Sequence, residues 1–474
     1  MIDLNNEYDF NKIIPKKIIK ATYKALNNYQ YRTLFKYKDQ ILNYGKYNKD
    51  ELNFILDSII EGETARKYLL EELKSTEPLL LEEILNKFNF SDENIIRDLI
   101  FLTEQGFLEK IIDKSTGDQK YRVKEERFSL QKNIFDTISV VHEKNTCCHC
   151  GLCTSICPLD GIDLTNDYVY IDGGKCIRCG LCYSVCPQSF TFKTELDYLK
   201  KRNYDLKYYK NIGFYKNMYS ARTYIHKIRD YIQDGGVVSS LIYYMLKNQL
   251  VDAVITIKHS IDFWKPEVAI IQDIKKLKNT AGTIYTHTPL LSVLKKTKNL
   301  KNVAIVALPC KIKALIKGSL FPVRLPFFNN IKYKIGLFCW ESLSYEKMLE
   351  FIHKNFDVDL DEIVNMNIKK GKFIITLDSG DVFSIPLNEW YKYGYNFCNY
   401  CDDFTAEFAD LSIGGIGSQM GWSTVITRNN NGEELFNKVL DAELIESREL
   451  KEGSSKLSLI EKIAEKKIKN SKSI

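Results

Sequence analysis

Several shortages narrow the field before any motif is considered. No cysteine lies in the first 146 residues or in the last 73. The 13 that exist are an odd number, so they cannot pair off into a complete disulfide framework. No apolar run reaches ~18 residues, and Met1 opens no basic-then-apolar leader. Neither a membrane span nor secretion is therefore expected, and the chain reads as cytoplasmic. Charge is nearly balanced: 67 Lys and Arg against 61 Asp and Glu leave +6 over 474 residues, a small excess for a nucleic-acid binder. Neither a GxGxxG fingerprint nor a P-loop occurs. What is present is ordinary for a folded protein, with 45% hydrophobic and 27% charged residues. The length suggests about two to four domains.

Reduced cysteines gathered in clusters point to metal or redox chemistry. Nine of the 13 lie between Cys147 and Cys186. They read CCHCGLCTSICP and then CIRCGLCYSVCP. Each half contains Cys-x2-Cys-x2-Cys-x3-Cys-Pro, the bacterial-type ferredoxin run. The short spacings let one loop reach three irons of a cubane, while the fourth cysteine reaches the other cluster. The expected ligand sets are Cys147, Cys150, Cys153 and Cys186 for one [4Fe–4S] cluster, and Cys176, Cys179, Cys182 and Cys157 for the second. Gly151 and Gly180 let backbone approach the inorganic sulfides. Pro158 and Pro187 stop each loop. A zinc site would space its ligand pairs further apart. Cys148 breaks the x2 rule and is read as a non-ligand, and His149 as a loop residue.

The remaining cysteines are Cys310, Cys339, Cys398 and Cys401. Asn302–Leu308 is a short apolar run typical of a strand buried on both faces, and it leads into Pro309-Cys310. Lys334–Phe338 is a second such strand, ending at Cys339. Cys398 and Cys401 form a CxxC loop before the strand-like Ala409–Ile413. These four thiols could converge where open α/β sheets place their sites. On spacing alone, a third cluster and a zinc or redox CxxC beside two buried cysteines both remain open.

Two Gly turns stand at expected helix starts. Asp234-Gly235-Gly236-Val237-Val238-Ser239-Ser240 precedes an amphipathic helix to about Leu250. Gly282-Thr283-Ile284-Tyr285-Thr286 precedes Pro289, expected as a first helical residue capped by Thr288. Free N–H groups there suit a pyrophosphate, and ordinary helix caps are the plain alternative. VDAVITI, Val251–Ile257, reads as another buried strand. A third Gly-rich stretch is Gly414-Gly415-Ile416-Gly417.

From about Ile212 to Thr427 the chain resembles the beta subunit family of coenzyme F420 hydrogenase and dehydrogenases, where F420 is a deazaflavin coenzyme. The resemblance is carried by Gln233 to Ser239, Gly282 to Tyr285, Pro309-Cys310, Phe338-Cys339, Cys398 to Cys401, Ala409 to Ser412 and Gly421 to Thr424. Lys311 stands where the family often has Gln, and Gly415 where many members carry Asp. The resemblance implies one FAD, cradled by Gly235, Gly236, Val237, Ser239, Ser240, Gly282, Thr283, Tyr285 and Thr286. It also implies a third [4Fe–4S] cluster on Cys310, Cys339, Cys398 and Cys401. The implied activity is hydride exchange between coenzyme F420 and FAD, with no catalytic side chain singled out. Single electrons would pass through three clusters to or from a ferredoxin or a larger redox enzyme. A family-related flavin reductase of another substrate is the alternative. The basic stretch Tyr198–Lys210, with Lys200, Lys201, Arg202, Lys207 and Lys210, could attract the anionic coenzyme, or be a solvated helix.

The expected architecture is multidomain, α/β and α+β. It comprises a helical region at 1–62, a winged-helix-like domain at 63–130, a 2[4Fe–4S] ferredoxin domain at 138–192, a flavin-binding α/β domain at 205–430 and C-terminal helices at 431–474. The winged-helix region is expected to hold helices Glu63–Lys74, Leu79–Phe88 and Asp92–Gln105 and a hairpin of Phe107–Asp113 and Lys120–Val123. A redox-sensing DNA-binding regulator is the rival function. Its recognition helix would carry Asp92, Glu93, Asp98 and Glu104 against Arg97, a net of −3 that phosphates repel. Protein docking is the expected role of this region or of the ferredoxin domain. The tail is expected to form helices Glu433–Asp441 and Leu457–Lys469.

Overall fold

The computed structural model describes residues 29–471, apart from 75, 89, 105–106, 114–115, 117, 125–137, 144, 166–167, 190–196, 198–199, 201–204, 230, 261–263 and 321–324. Residues 1–28 of the expected helical region, most of the hairpin turn, and Lys201 and Arg202 lie outside the described residues.

The N-terminal module opens with helices Tyr29–Lys36 and Lys38–Tyr44 and a 25-residue helix, Lys49–Leu73. Asn48 and Glu51 start the long helix with a reciprocal capping box, both bonds 2.8 Å. A separate helix beginning at Glu63 was expected; instead the helix continues through Gly62, so a boundary between 62 and 63 falls inside one element. Glycine there costs roughly 1 kcal/mol of helix propensity. In return its bare Cα makes room for Arg66, whose guanidinium a Cβ would meet at 2.7 Å. Arg66 reaches buried Asp98 at 3.3 Å on helix Asp92–Glu104. Helix Leu81–Lys87 and the hairpin Leu108–Ile112 with Gln119–Val123 complete the module, and Leu79–Leu80 adds a third strand.

The ferredoxin-type segment holds the short helices Leu152–Ile156 and Leu181–Ser184 and a hairpin, Ile162–Thr165 with Tyr168–Ile171. Each helix is entered through a left-handed glycine, Gly151 at φ 85° and Gly180 at φ 73°. The repeat in sequence is thus a repeat in backbone shape.

The rest is built on an eight-stranded mixed sheet. Its order is Pro266–Ile271, Ala253–His259, Val303–Ala307, Ile331–Leu337, Leu411–Gly414, Ser423–Thr427, Asn217–Thr223 and Ile445–Glu449. The four strands from Ala253–His259 to Leu411–Gly414 run parallel, and the others are antiparallel. Val303–Ala307 is buried throughout. Val303, Ile305 and Ala307 pack on the core shared with the ferredoxin segment and the N-terminal module, whereas Ala304 and Val306 face helices Val237–Lys247 and Asn430–Asp441. This two-residue alternation explains why the strand reads as continuously apolar. A small antiparallel sheet, Ile363–Lys369, Lys372–Leu377 and Val382–Pro386, closes over Phe351, Phe373 and Trp390.

The tail departs from expectation by one strand. Ile445–Glu449 pairs with Asn217–Thr223 as the sheet edge, between helices Asn430–Asp441 and Ser455–Asn470. Its IESRE sequence hid it, because edge strands carry charge where central strands carry apolar residues. Among the described residues, no helix is long and apolar enough to cross a membrane.

Candidate functional site

The two halves of the ferredoxin repeat interleave. Among the neighbours that perturb Cys153 electrostatically are Cys147 and Cys186, and Cys150 likewise feels Cys153 and Cys186. Cys179 and Cys182 both feel Cys157 and Cys176. The fold thus brings the two halves of the repeat together, Cys153 also feeling Cys182 of the other expected set. Burial pushes the thiols of Cys179, Cys182 and Cys186 up to about 12. Backbone amides oppose that trend. His149 N–H donates to Cys147 Sγ at 3.4 Å and Gly161 N–H to Cys157 Sγ at 3.2 Å. The Leu152 and Leu181 amides, just after the left-handed glycines, serve Cys150 and Cys179 in the same way. Buried thiols served by N–H donors are suited to an electron-rich sulfur cluster.

The last four cysteines also meet. Strands Val303–Ala307 and Ile331–Leu337 are parallel neighbours, so the chain leaves both at the same sheet edge. Cys339 lies two residues beyond one; Cys310 lies in the first turn of helix Pro309–Leu320. Cys398 lies in the 3-10 turn Asn396–Tyr400, tied back by the Tyr395 N–H to Ser342 O bond at 2.9 Å. Cys339 feels both Cys310 and Cys401, and Cys398 feels Cys339 and Cys401. Burial pushes the Cys339 thiol up to about 12. Among the described residues, no three His, Cys, Asp or Glu side chains close on a point fit for a lone metal ion. The fit to clusters rests on the donor set: sulfur only, in fours, with amide donors.

The two Gly turns are laced together by one side chain. Gln233 Oε1 accepts from Thr283 N–H at 2.9 Å, and Gln233 Nε2 donates to Tyr285 Oη at 3.1 Å. Gly236, left-handed at φ 68°, caps helix Val237–Lys247 with no side-chain bond. Gly235 is required by closeness, since a Cβ would meet Ala221 O and Ser423 N at 2.5 Å. Val237 is buried behind the turn, and Ser239 is nearly so. Ser240 serves the fold itself, donating to Thr223 Oγ1 at 2.7 Å, so its hydroxyl is not free for a phosphate. Gly282 borders open space, since a Cβ there would meet only His259 Nε2, at 3.8 Å. Thr286 and Thr288 hold buried hydroxyls with no hydrogen-bond partner among the described residues. Pro289, expected as the first residue of a helix capped by Thr288, is itself the cap of the 3-10 helix Leu290–Thr297. That frees the Thr288 hydroxyl. Orphaned hydroxyls beside a glycine bordering open space fit a polar cofactor such as FAD.

The turns and the cysteine loops touch. Leu291 N–H donates to Cys150 O at 2.8 Å, and Ser155 Oγ donates to Leu291 O. A Cβ on Gly151 would meet Pro289 O at 2.6 Å. The rings of His149, His287 and Tyr395 pack together with centroids 4.2 to 5.4 Å apart, one from the ferredoxin loop, one from the second Gly turn and one beside Cys398. The roles of three groups escaped sequence reasoning. Gln233 carries no phosphate-binding signature. Lys311 and Lys467 place buried ammonium groups at the cysteines: Lys311 Nζ donates to Cys148 O at 3.3 Å, and Lys467 Nζ to Cys339 O and Trp340 O, both at 2.7 Å. The tail does offer a signal, because Lys467 continues the buried stripe Leu457, Ile460 and Ala464. In the basic stretch, Lys200 is already engaged, with Nζ on Glu407 O at 3.3 Å and over the Phe408 ring.

Comparison with known proteins agrees with this layout. Residues 218–295 match the coenzyme F420 hydrogenase/dehydrogenase beta subunit N-terminal family, residues 300–453 the matching C-terminal family, and residues 139–187 a 4Fe-4S dicluster domain. The coenzyme F420 hydrogenase subunit beta of Methanothermobacter thermautotrophicus is 35% identical over 269 residues, 56% of this chain and 95% of that one. The coenzyme F420-dependent sulfite reductase of Methanocaldococcus jannaschii is 32% identical over 351 residues, 71% of this chain but 51% of that one. A chain in the structure of the F420-reducing [NiFe] hydrogenase complex of Methanosarcina barkeri superposes with a TM-score of 0.53 at 29% identity, covering 56% of this chain and 92% of that one.

Proposed function

The chain belongs to the coenzyme F420 hydrogenase/dehydrogenase beta subunit family, with a 4Fe-4S dicluster domain ahead of the family module, and from that premise we propose that it exchanges reducing equivalents between coenzyme F420 and a redox partner. The bound groups in this reading are FAD and three [4Fe–4S] clusters; FAD accepts or returns a hydride and handles single electrons, which is the conversion the pathway requires.

The observation that carries the reading is contiguity. The second Gly turn, the Cys398 loop and the Cys147–Cys150 loop meet at the His149, His287 and Tyr395 rings. Gln233 and the two turns would hold FAD, with Thr286 and Thr288 offering hydroxyls to it. Cys310, Cys339, Cys398 and Cys401 would hold a cluster beside those turns. Cys147, Cys150, Cys153 and Cys186 would hold the next, and Cys157, Cys176, Cys179 and Cys182 the outermost. The partner is a ferredoxin or a larger redox enzyme that docks at the ferredoxin segment or the winged-helix-like N-terminal module. That module packs against its own chain: Tyr47 Oη donates to Ile156 O at 3.2 Å, and Lys298 pairs with Glu51 at 3.1 Å.

The test is an anaerobic assay of purified protein loaded with FAD and iron, using an artificial one-electron carrier. Bleaching or recovery of coenzyme F420 absorbance is expected. Protein that holds FAD but leaves that absorbance unchanged contradicts the reading.

A further inference from the structure

We propose that Lys467 and Lys311 are fixed counter-charges of the Cys310, Cys339, Cys398 and Cys401 cluster, and that they raise its reduction potential. The proposal rests on the third-cluster reading above. Both residues are almost wholly enclosed, with 4% of Lys467 and 2% of Lys311 exposed. A buried ammonium is costly without an anion beside it. Among the described residues, neither forms an ion pair with a carboxylate, although Asp403 and Glu341 are charged neighbours of Lys467; each is pinned to backbone carbonyls of the cysteine loops. Lys311 directly follows Cys310 in the first turn of its helix, and Lys467 Nζ holds the carbonyl of Cys339 itself.

The two lysines come from separate places. Lys311 sits on the buried face of helix Pro309–Leu320. Lys467 arrives on the C-terminal helix Ser455–Asn470, beyond residue 453 where the family match ends. One-electron reduction adds one negative charge to a cluster and its four thiolates. A cation fixed in a poorly screened interior stabilises that extra charge, so its removal lowers the potential.

The experiment is a reductive titration of the whole protein with dithionite and mediators, each cluster being followed by electron paramagnetic resonance. Iron is counted first: iron for two cubanes in the wild type would overturn the third-cluster reading, and so separates that failure from failure of the charge claim. In wild type with three cubanes, Lys467→Met and Lys311→Gln are each expected to cut the reduced-to-oxidised ratio of the third cluster about tenfold at fixed poise, about 59 mV for one electron. Lys467→Arg should stay near wild type, and Lys467→Met should leave the outermost cluster unchanged. An unshifted third cluster in Lys467→Met and Lys311→Gln overturns the proposal. So does a Lys467→Arg shift as large as that of Lys467→Met. If Lys467→Met loses the third cluster, Lys311→Gln decides; loss in both would make the lysines structural struts and overturn the proposal.

Discussion

Cys148 sits between two thiols of different modules, Cys150 on one side and Cys310 on the other. It is the thirteenth cysteine, left over when the others are sorted into fours. Cys148→Ser is expected to leave the iron content unchanged, whereas Cys310→Ser should lower it by about one third, one cubane of three. Elemental analysis of the two variants checks this. Gln233 makes a different case. Its amide joins the two Gly turns through two hydrogen bonds, each worth about 1 kcal/mol. Gln233→Ala should therefore weaken FAD about tenfold to hundredfold, read by flavin fluorescence titration. The ferredoxin-type segment was legible from sequence because its cysteine spacing is the signature of a dicluster domain, whereas spacing alone left the last four cysteines open. Gln233, Lys311 and Lys467 were not, because each acts across more than 40 residues of chain and no local pattern announces a partner that distant.

Among elements, strands and helices of the sheet domain fell close to their expected places, because a continuous apolar run such as Val303–Ala307 has few other uses. The misread elements were those governed by packing. Helix Lys49–Leu73 passes through Gly62 because Arg66 needs the space, and edge strand Ile445–Glu449 reads as polar. Asp160 shows how the elements are joined. Its carboxylate takes Lys46 from the N-terminal module and Lys295, at 2.8 Å, from the sheet domain. Burial pushes the Asp160 carboxyl up, but the bonds from Lys295 and Lys46 outweigh it and hold it below the usual carboxylate range. A depressed folded pKa contributes stability above the unfolded value and loses it as pH falls through the folded one. The junction should thus be intact at neutral pH and weaken below about pH 4. Asp160→Asn should cost about 1 kcal/mol at neutral pH and flatten that acid dependence. Denaturant unfolding at pH 7 and at about pH 3 measures both effects.

At the scale of the whole molecule, the chain is a family module with two additions in front of it and one behind. The sequence placed the ferredoxin segment before the sheet domain, yet could not say that one core runs through the sheet, the ferredoxin segment and the N-terminal module. That continuity arises from contacts such as Leu291 with Cys150, which depend on tertiary docking. It makes a single relay the central claim of the proposal: reducing equivalents would pass between coenzyme F420 and the outermost cysteines through one body. The most direct measurement is an anaerobic spectral titration of the whole protein, carrying FAD and its clusters, with reduced coenzyme F420. The account predicts that the flavin and iron–sulfur absorbance fall together as oxidised coenzyme F420 appears. Reduced coenzyme F420 that leaves both absorbances untouched, while dithionite bleaches them, would contradict it.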